Sequence, residues 1–276
     1  MKTIKIPELE AKGFTEFDPN DLPEHASIGI TAMRRSGKTV LVQPIIEEIQ
    51  KRFDEAYIFS TTCDLLQDDY KFIPSKNKYN HVNLEKIQEI ITRQENIIKF
   101  NNTCSGINKI RNNVLILMDD CIQDNKSRSK LVDGLYTRGR HIKVSVILLS
   151  QMYKNTEAGG FKKTCRMNCD VLISFVQPNY NDRKSFVEEN LSIIDKKEGM
   201  VIFDEITKNE YCAIVINLHK ITTARSYKDY VQYIKIDTKK KIRNFKIEKK
   251  ENFATQPVKE NKYKKGSFEG YGKILI

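Results

Sequence analysis

The residues best suited to chemistry lie in one short run near the amino terminus. Residues 32–39 read Ala-Met-Arg-Arg-Ser-Gly-Lys-Thr, which is the phosphate-binding pattern G-x-x-x-x-G-K-[ST] with Ala32 in place of the first glycine. Backbone N–H groups of such a loop, together with the N-terminus of the helix that follows, bind a phosphate anion. Gly37 allows close approach of the backbone, Lys38 is expected to reach the β- and γ-phosphates, and Thr39 to ligate Mg²⁺. The run therefore predicts a site for a nucleoside triphosphate and its Mg²⁺.

The loop departs from the usual pattern in its first half. Alanine at the first position is sterically mild if the local φ is negative, and the next two arginines either add positive charge near the phosphates or point into solvent. These departures bear on nucleotide affinity more than on the fold. The predicted nucleotide-binding residues are Ala32, Arg34, Arg35, Ser36, Gly37, Lys38 and Thr39.

Two carboxylates follow a strongly apolar run further along the chain. Asp119 and Asp120 come directly after Val114–Met118, which is typical of a central parallel strand. A carboxylate at the C-terminal end of a strand near a phosphate loop is placed to hold the Mg²⁺ water shell. A second one beside it can polarise the water that attacks the γ-phosphate. We therefore expect Asp119 to be the metal-side acid and Asp120 the catalytic base.

A polar residue also ends the next apolar run. Gln151 follows Val144–Ser150, where its amide could contact the γ-phosphate or the attacking water. Just before this run, Arg138 and Arg140 are either surface charges or arginine fingers that reach the nucleotide of a neighbouring subunit. Such a finger raises the rate of nucleotide hydrolysis by ~10³- to 10⁵-fold in well-studied cases.

Alternating strand and helix patterns must position these residues. Strands are predicted at Ser27–Thr31, Ala56–Ser60, Val114–Met118, Val144–Ser150 and Asp170–Val176, and helices at Lys38–Lys51, Leu84–Phe100, Ser127–Arg138 and Asn181–Asn190. A final pair of strands, Met200–Phe203 and Tyr211–Ile216, is predicted around a turn at Lys208-Asn209. The alternation predicts an α/β fold with a central, mostly parallel sheet and helices on both faces.

Composition narrows the class of protein further. The chain has 276 residues, 39% of them hydrophobic, and no apolar run near the ~20 residues of a membrane helix. Acidic residues near the start argue against a signal or transit peptide, so we expect a soluble intracellular protein that is not secreted. Six scattered cysteines include Cys165 and Cys169, but no second pair or nearby histidine completes a zinc site. We expect them to be free thiols.

Positive charge is concentrated at the C-terminus. The formal net charge is +11, and residues 239–265 contain eleven Lys or Arg against three Glu. Such a segment is either a solubilising run or a non-specific contact to nucleic-acid phosphates. If it contacts DNA, deleting Lys239–Ile276 should reduce the log–log salt slope of binding by about 0.9 per lost phosphate contact. We divide the chain into an N-terminal extension (1–26), an ATPase domain (27–236) and a basic, flexible C-terminal tail (237–276).

Taken in order, these elements resemble the poxvirus-type genome-packaging ATPases of large DNA viruses, within the FtsK/HerA superfamily of ring-forming P-loop NTPases. The resemblance is carried by the Gly37-Lys38-Thr39 loop, the strand that ends in Asp119-Asp120, and Gly139-Arg140-His141 before a strand that ends Ser150-Gln151. Arg166-Met167-Asn168 is similar to the R-x-N element of the family. The match spans roughly Ser27 to Ile216.

The resemblance implies a RecA/FtsK-like fold and an ATP- and Mg²⁺-dependent motor that threads double-stranded DNA into a preformed capsid. It further implies a homo-oligomeric ring in which a neighbour's arginine completes each site, with Arg138, Arg140 and Arg166 as the candidates. A capsid or portal-vertex protein is the expected docking partner. The expected location is the host cytoplasm, in the viral factory, with association to the virion as a further possibility.

Three other classes remain open on the sequence alone. The first is a cellular or plasmid-borne DNA translocase of the same superfamily. The second is a P-loop enzyme that acts on a small molecule, although the sequence contains no obvious acceptor-binding or lid motif. The third is a non-enzymatic DNA-binding or capsid protein with a degenerate loop, which only Ala32 suggests.

Overall fold

One mixed β-sheet organises the protein. The computed structural model describes residues 4–33, 36–63, 70–103, 109–121, 129–154, 161–239 and 244–248. In these residues the strands are β1 (Thr15–Glu16), β2 (Ser27–Thr31), β3 (Glu55–Ser60), β4 (Lys78–Tyr79), β5 (Val114–Asp119), β6 (Val144–Ser150), β7 (Val171–Ser174), β8 (Cys212–Asn217) and β9 (Val231–Lys235). The helices are α1 (Pro7–Ala11), α2 (Lys38–Ile49), α3 (Leu84–Thr103), α4 (Lys130–Arg138), α5 (Lys163–Met167), α6 (Tyr180–Asn190) and α7 (Lys196–Thr207).

The sheet is mostly parallel, as predicted. Its strand order is β1-β9-β8-β7-β2-β6-β5-β3-β4. The strand before the phosphate loop, β2, lies at the centre and pairs in parallel with β6 and β7. Among the strands of the described residues, only β8 is antiparallel to its neighbours, β7 and β9. The carboxyl ends of β2, β5 and β6 therefore lie side by side at one end of the sheet, where nucleotides bind in open α/β sheets.

The two faces of the sheet have separate hydrophobic cores. Along β5, Val114, Ile116 and Met118 belong to one cluster of buried side chains, while Leu115 and Leu117 belong to the other. This alternation follows from the two-residue period of a strand. Helix α2 packs on the second face, and α3, α4, α6 and α7 supply buried residues to the first. The prediction of helices on both faces is confirmed, and it explains the unbroken apolar run of β5.

The chain segments at both ends of the domain also pack on this sheet. Leu9 and Phe14 are buried in the first core, and Phe17 is buried in the second. The adjoining β1 pairs in parallel with β9. Both edge strands, β1 and β4, are only two residues long, so little unpaired backbone is exposed for association with other sheets.

The predicted strand at Met200–Phe203 is wrong, because these residues lie inside α7. The Asp195 side chain caps that helix by accepting hydrogen bonds from the backbone N–H groups of Lys197 and Glu198. Gly199, Ile202, Phe203 and Ile206 are buried at helical spacing. A four-residue apolar run is compatible with either a strand or a helix. Here the Asp195 cap favours the helix. The strand predicted at Tyr211–Ile216 is confirmed as β8, but its partners are β7 and β9.

Within the described residues, no helix is both long and apolar enough to cross a bilayer. Cys63, Cys121, Cys165, Cys169 and Cys212 are buried free thiols. Burial raises the pKa of Cys165 to about 12, which keeps this thiol protonated and unreactive at neutral pH.

Candidate functional site

The phosphate-binding loop connects β2 to α2, as the sequence predicts. Gly37 is the N-cap of α2 and has a φ of 93°, a left-handed conformation that favours glycine. A Cβ at this position would also lie 3.1 Å from the ring of Tyr211. Lys38 and Thr39 begin the helix, so its free backbone N–H groups and positive dipole end face the loop. Ser36 closes a turn, because its hydroxyl donates to the carbonyl of Met33 at 2.7 Å.

The alanine at the first loop position fits the backbone found there. Ala32 is fully buried, and its N–H donates to the carbonyl of Ser150 at 3.0 Å. The residue thus continues the pairing of β2 with β6 by one position, and its φ is not positive. A side-chain methyl is therefore accommodated where the usual pattern has glycine. Arg34 and Arg35 lie outside the described residues.

The two predicted acids lie beside the loop. The register places Thr31 opposite Ser150 and Asp119 opposite Leu149, so the three strands end within one residue of each other. Lys38 Nζ lies 3.0 Å from Asp119 Oδ1 and 2.7 Å from Asp120 Oδ1. One ammonium therefore bridges two carboxylates, and the cluster keeps a net negative charge that suits a cation.

The two carboxylates differ in exposure. The side chain of Asp119 is 1% exposed and that of Asp120 is 27% exposed. Asp120 also has a left-handed backbone, with φ of 49°, and its carbonyl accepts a hydrogen bond from the Thr61 hydroxyl at 3.1 Å. The chain thus turns sharply after β5 and presents the second carboxylate to solvent.

Gln151 joins the same cluster. Its Nε2 donates to Asp120 Oδ1 at 3.2 Å, the oxygen that also accepts from Lys38. Residues from three segments, the phosphate loop, the end of β5 and the end of β6, are therefore brought together. The predicted set of Lys38, Asp119, Asp120 and Gln151 is contiguous in space.

One residue that the sequence analysis missed contacts the buried acid. Tyr70 is fully buried, and its hydroxyl donates to Asp119 Oδ2 at 2.5 Å. The other oxygen, Oδ1, accepts no hydrogen bond from the described residues, although it is paired with Lys38. No sequence pattern marks Tyr70, because it is a single tyrosine separated from the acid by almost fifty positions.

The residues present fit Mg²⁺. Asp119 Oδ1 is a buried carboxylate oxygen that, among the described residues, has an ion pair with Lys38 and no further hydrogen bond, and the Thr39 hydroxyl lies on the first turn of α2. Carboxylate and hydroxyl oxygens are the hard ligands that Mg²⁺ prefers. These two side chains would hold the ion, with the remaining positions left to water and phosphate.

Two of the candidate arginine fingers, Arg138 and Arg140, lie at the end of the sheet opposite the two acids. Arg138 ends α4, and Arg140 lies in the short 3₁₀ turn that leads into β6; both are exposed. Gln151 follows the other end of that seven-residue strand, so about 20 Å separate the arginines from the acids. Neither arginine can reach the site of its own chain.

Arg166 is placed differently, because it is buried and committed to an internal ion pair. Its Nε and Nη2 donate to the two carboxylate oxygens of Glu189 at 2.8 and 2.9 Å, and the guanidinium lies 5.0 Å from the ring centroid of Tyr153. Burial acts to raise the pKa of Glu189, but the hydrogen bonds and charge of Arg166 outweigh it, so this pKa is lowered. A finger must be exposed, and this structure does not bring Arg166 to the surface.

Comparison with known proteins agrees with this architecture. The model of the poxvirus A32 protein family matches residues 15–182, more than half of the 276-residue chain. The genome packaging NTPase B204 of Sulfolobus turreted icosahedral virus 2, solved with AMPPCP, is 14% identical with a TM-score of 0.50, over 77% of this chain and 98% of that one. The pCW3 conjugation coupling protein TcpA, solved with ATPγS, is 13% identical with a TM-score of 0.48, over 76% and 67%. No curated protein matches the chain.

At these identities the likeness to B204 is one of fold, and it agrees with the phosphate loop and the parallel sheet described above. The match to the family model covers β1 through the first turn of α6, and so includes every side chain of the cluster around Lys38. The chain therefore belongs to the poxvirus A32 protein family.

Proposed function

We propose that this chain is an ATP-driven motor that translocates double-stranded DNA and packages a viral genome into a preformed capsid. The observation that carries the proposal is the bridge from Lys38 of the phosphate loop to Asp119 and Asp120. A non-enzymatic protein with a degenerate loop has no need of this cluster. Membership in the poxvirus A32 family and the ordered motifs of the sequence support the packaging role.

Each side chain of the cluster has a distinct part in ATP hydrolysis. Lys38 and the backbone N–H groups of the loop bind the phosphates, and bound Mg²⁺ neutralises charge on them. Asp119, the buried acid, belongs on the metal side with Thr39. Asp120, the partly exposed acid, accepts a proton from the attacking water. Gln151, which donates to Asp120 Oδ1, helps to orient that water.

Subunits complete one another's sites in this proposal. Arg138 and Arg140 lie at the end of the sheet opposite the acids. Either of them can therefore reach only the nucleotide of a neighbouring subunit. A homo-oligomeric ring satisfies this requirement. Residues 27–236 form the ATPase domain, with residues 1–26 as an N-terminal extension and 237–276 as a basic C-terminal tail that contacts DNA. A capsid or portal-vertex protein docks the ring in the viral factory of the host cytoplasm.

The first test is the steady-state ATPase rate of the full chain with and without double-stranded DNA. We expect DNA to raise the ATPase rate of the wild type. Lys38→Ala is expected to abolish hydrolysis with and without DNA. Lys51→Ala is the matched control, since it removes an exposed lysine just beyond the other end of α2. Because Lys38→Ala leaves two adjacent carboxylates without their cation, thermal unfolding must show that this variant is folded.

Each outcome of this test is informative. Hydrolysis that DNA does not change would favour a P-loop enzyme that acts on a small molecule. Activity that survives Lys38→Ala would contradict the assigned site. Stimulation by DNA without any capsid-linked packaging in cells would favour a cellular or plasmid-borne translocase.

A further inference from the structure

The two oxygens of the Asp119 carboxylate lie in different surroundings. Oδ1 lies on the side of Lys38, at 3.0 Å from Nζ, and Oδ2 accepts a hydrogen bond from Tyr70 at 2.5 Å. Tyr70 and Asp119 are both buried, so water does not replace either partner. The tyrosine hydroxyl therefore fixes which oxygen of Asp119 faces the phosphate loop.

Such a hydrogen bond has a known consequence at metal sites. A partner that holds the second oxygen of a carboxylate restricts its rotation and orients the first oxygen toward the ion. Loss of a partner of this kind typically lowers metal affinity or activity by about 10- to 100-fold. A hydrogen bond from a hydroxyl to an ionised carboxylate is also among the stronger ones in proteins.

Tyr70 is itself held by aromatic packing that reaches the C-terminal part of the chain. Its ring meets Phe72 edge-on, with centroids 6.2 Å apart and planes at 72°. The Phe72 ring stacks on Phe245 at 5.0 Å and 16°. The Ile247 N–H donates to the Phe72 carbonyl at 2.9 Å, and the Ile247 side chain is buried in the second core.

Residues 244–248 thus pack on the body of the domain, although the sequence analysis assigned them to the basic tail. They contact the same short segment that carries Tyr70. A continuous series of contacts runs from Asp119 through Tyr70 and Phe72 to Phe245.

We propose that Tyr70 is a positioning residue for Asp119, and that residues 244–248 hold it in place through Phe72. The inference rests on the proposed function, because it takes Asp119 to be the metal-side acid. It adds a residue to the site and connects the C-terminal segment to Mg²⁺-dependent nucleotide binding.

The experiment measures the dissociation constant of a non-hydrolysable ATP analogue in EDTA and in Mg²⁺, using the full chain. The ratio of the two constants is the gain in affinity from Mg²⁺. We expect Tyr70→Phe to reduce this gain by about tenfold and to leave the constant in EDTA unchanged. Tyr233→Phe is the control, because Tyr233 is equally buried and its hydroxyl accepts a hydrogen bond from the distant Ile6 N–H.

A merely structural role of Tyr70 predicts a different pattern. Destabilisation of the site would weaken binding in EDTA and in Mg²⁺ alike, and it would lower the unfolding temperature more than Tyr233→Phe does. An unchanged Mg²⁺ gain in Tyr70→Phe would overturn the proposal.

Asp119→Asn separates this proposal from the proposed function. If Asp119→Asn keeps the Mg²⁺ gain, Asp119 is not the metal-side acid, and both its role in the proposed function and the role of Tyr70 are refuted. If Asp119→Asn abolishes the gain and Tyr70→Phe does not, only the role of Tyr70 is refuted.

The role of residues 244–248 is tested by Phe245→Ala in the full chain. We expect a loss of Mg²⁺ gain in the same direction as that of Tyr70→Phe, but smaller, because the tyrosine hydroxyl remains. Phe100→Ala is the control, since it removes an exposed phenylalanine from α3. Equal Mg²⁺ gains in Phe245→Ala and Phe100→Ala would refute the contribution of the C-terminal segment.

Discussion

Lys38 forms ion pairs with both Asp119 and Asp120. Nucleotide binding must therefore rearrange these ion pairs. The phosphates of ATP compete for the same ammonium, which lies within 3.0 Å of both acids. When Lys38 turns toward phosphate, the two acids lose their shared cation, and a divalent ion held by Asp119 would restore the balance of charge. Nucleotide and Mg²⁺ are therefore expected to bind together more tightly than either does alone.

Asp120 combines a partly exposed carboxylate with a left-handed backbone. Asp and Asn adopt this conformation more readily than other non-glycine residues, so Asp120→Asn keeps both shape and backbone preference. We expect this variant to bind nucleotide normally and to lose about 10²- to 10⁴-fold in hydrolysis, because the amide cannot accept the proton of the attacking water. Nucleotide titration and steady-state ATPase rates measure the two effects separately.

Glu85→Gln is a suitable control for Asp120→Asn, since it neutralises an exposed carboxylate on α3. Hydrolysis by Asp120→Asn within a few-fold of the wild-type rate would remove Asp120 from the role of catalytic base.

The ion pair between Arg166 and Glu189 joins α5 to α6. Arg166 also donates to the carbonyl of Phe161, so one guanidinium connects three segments. Because the side chain of Arg166 is 4% exposed, its charge depends on Glu189 for compensation. The sequence resemblance identifies Arg166 as part of an R-x-N element. In the structure this arginine forms buried contacts that hold α5 against α6.

The ionisation of Glu189 makes this contact dependent on pH. Its pKa is lowered from the ordinary value of 4.5 in the folded protein. The stabilisation is therefore present above about pH 4.5 and is lost as the pH falls through the lowered pKa. We expect Glu189→Gln to reduce the free energy of unfolding by about 1.5–3 kcal/mol at pH 7, with a smaller difference from wild type at pH 3.5.

Urea unfolding of both proteins across this pH range tests the prediction. Glu188→Gln is the neighbouring control, because Glu188 pairs with Lys196 in an exposed position where water screens the interaction. A difference between Glu189→Gln and wild type that does not change with pH would exclude the ionised pair as its cause.

The elements that the sequence predicts well are those with an unambiguous local pattern. Ser27–Thr31 and Val144–Ser150 have the predicted bounds. Ser27–Thr31 places two isoleucines directly before the phosphate loop, and Val144–Ser150 is rich in the aliphatic and β-branched residues that favour strands. The strand predicted at Met200–Phe203 is wrong because a four-residue apolar run does not distinguish a strand from a helix. Tyr70 was missed for another reason: its contact with Asp119 depends on how distant segments pack, and no spacing in the sequence encodes that.

Across the domain, Arg138 and Arg140 lie at one end of the sheet and the two acids lie at the other. A neighbouring subunit must therefore present Arg138 or Arg140 to the site, if either acts as a finger. This arrangement has a consequence for mixtures. A subunit that lacks its own site can still supply an arginine to a subunit that lacks the arginine.

We expect Arg140→Ala or Arg138→Ala to lower hydrolysis strongly, by as much as ~10³-fold for the true finger. Mixing that inactive variant with Lys38→Ala should restore activity above the sum of the two separate rates, measured at constant total protein. The arginine whose variant is rescued is the finger. Absence of rescue for both, in mixtures shown to co-assemble, would refute an arginine supplied in trans.

The pairing of β9 also determines how the domain responds to force. This strand is hydrogen-bonded to β1 on one side and β8 on the other, and the chain beyond it leads to the C-terminus. A load applied at the C-terminus can detach β9 only by breaking the hydrogen bonds on both of its sides. Residues 244–248, packed against Phe72, meet that load first. These residues must detach from Phe72 before the load reaches β9.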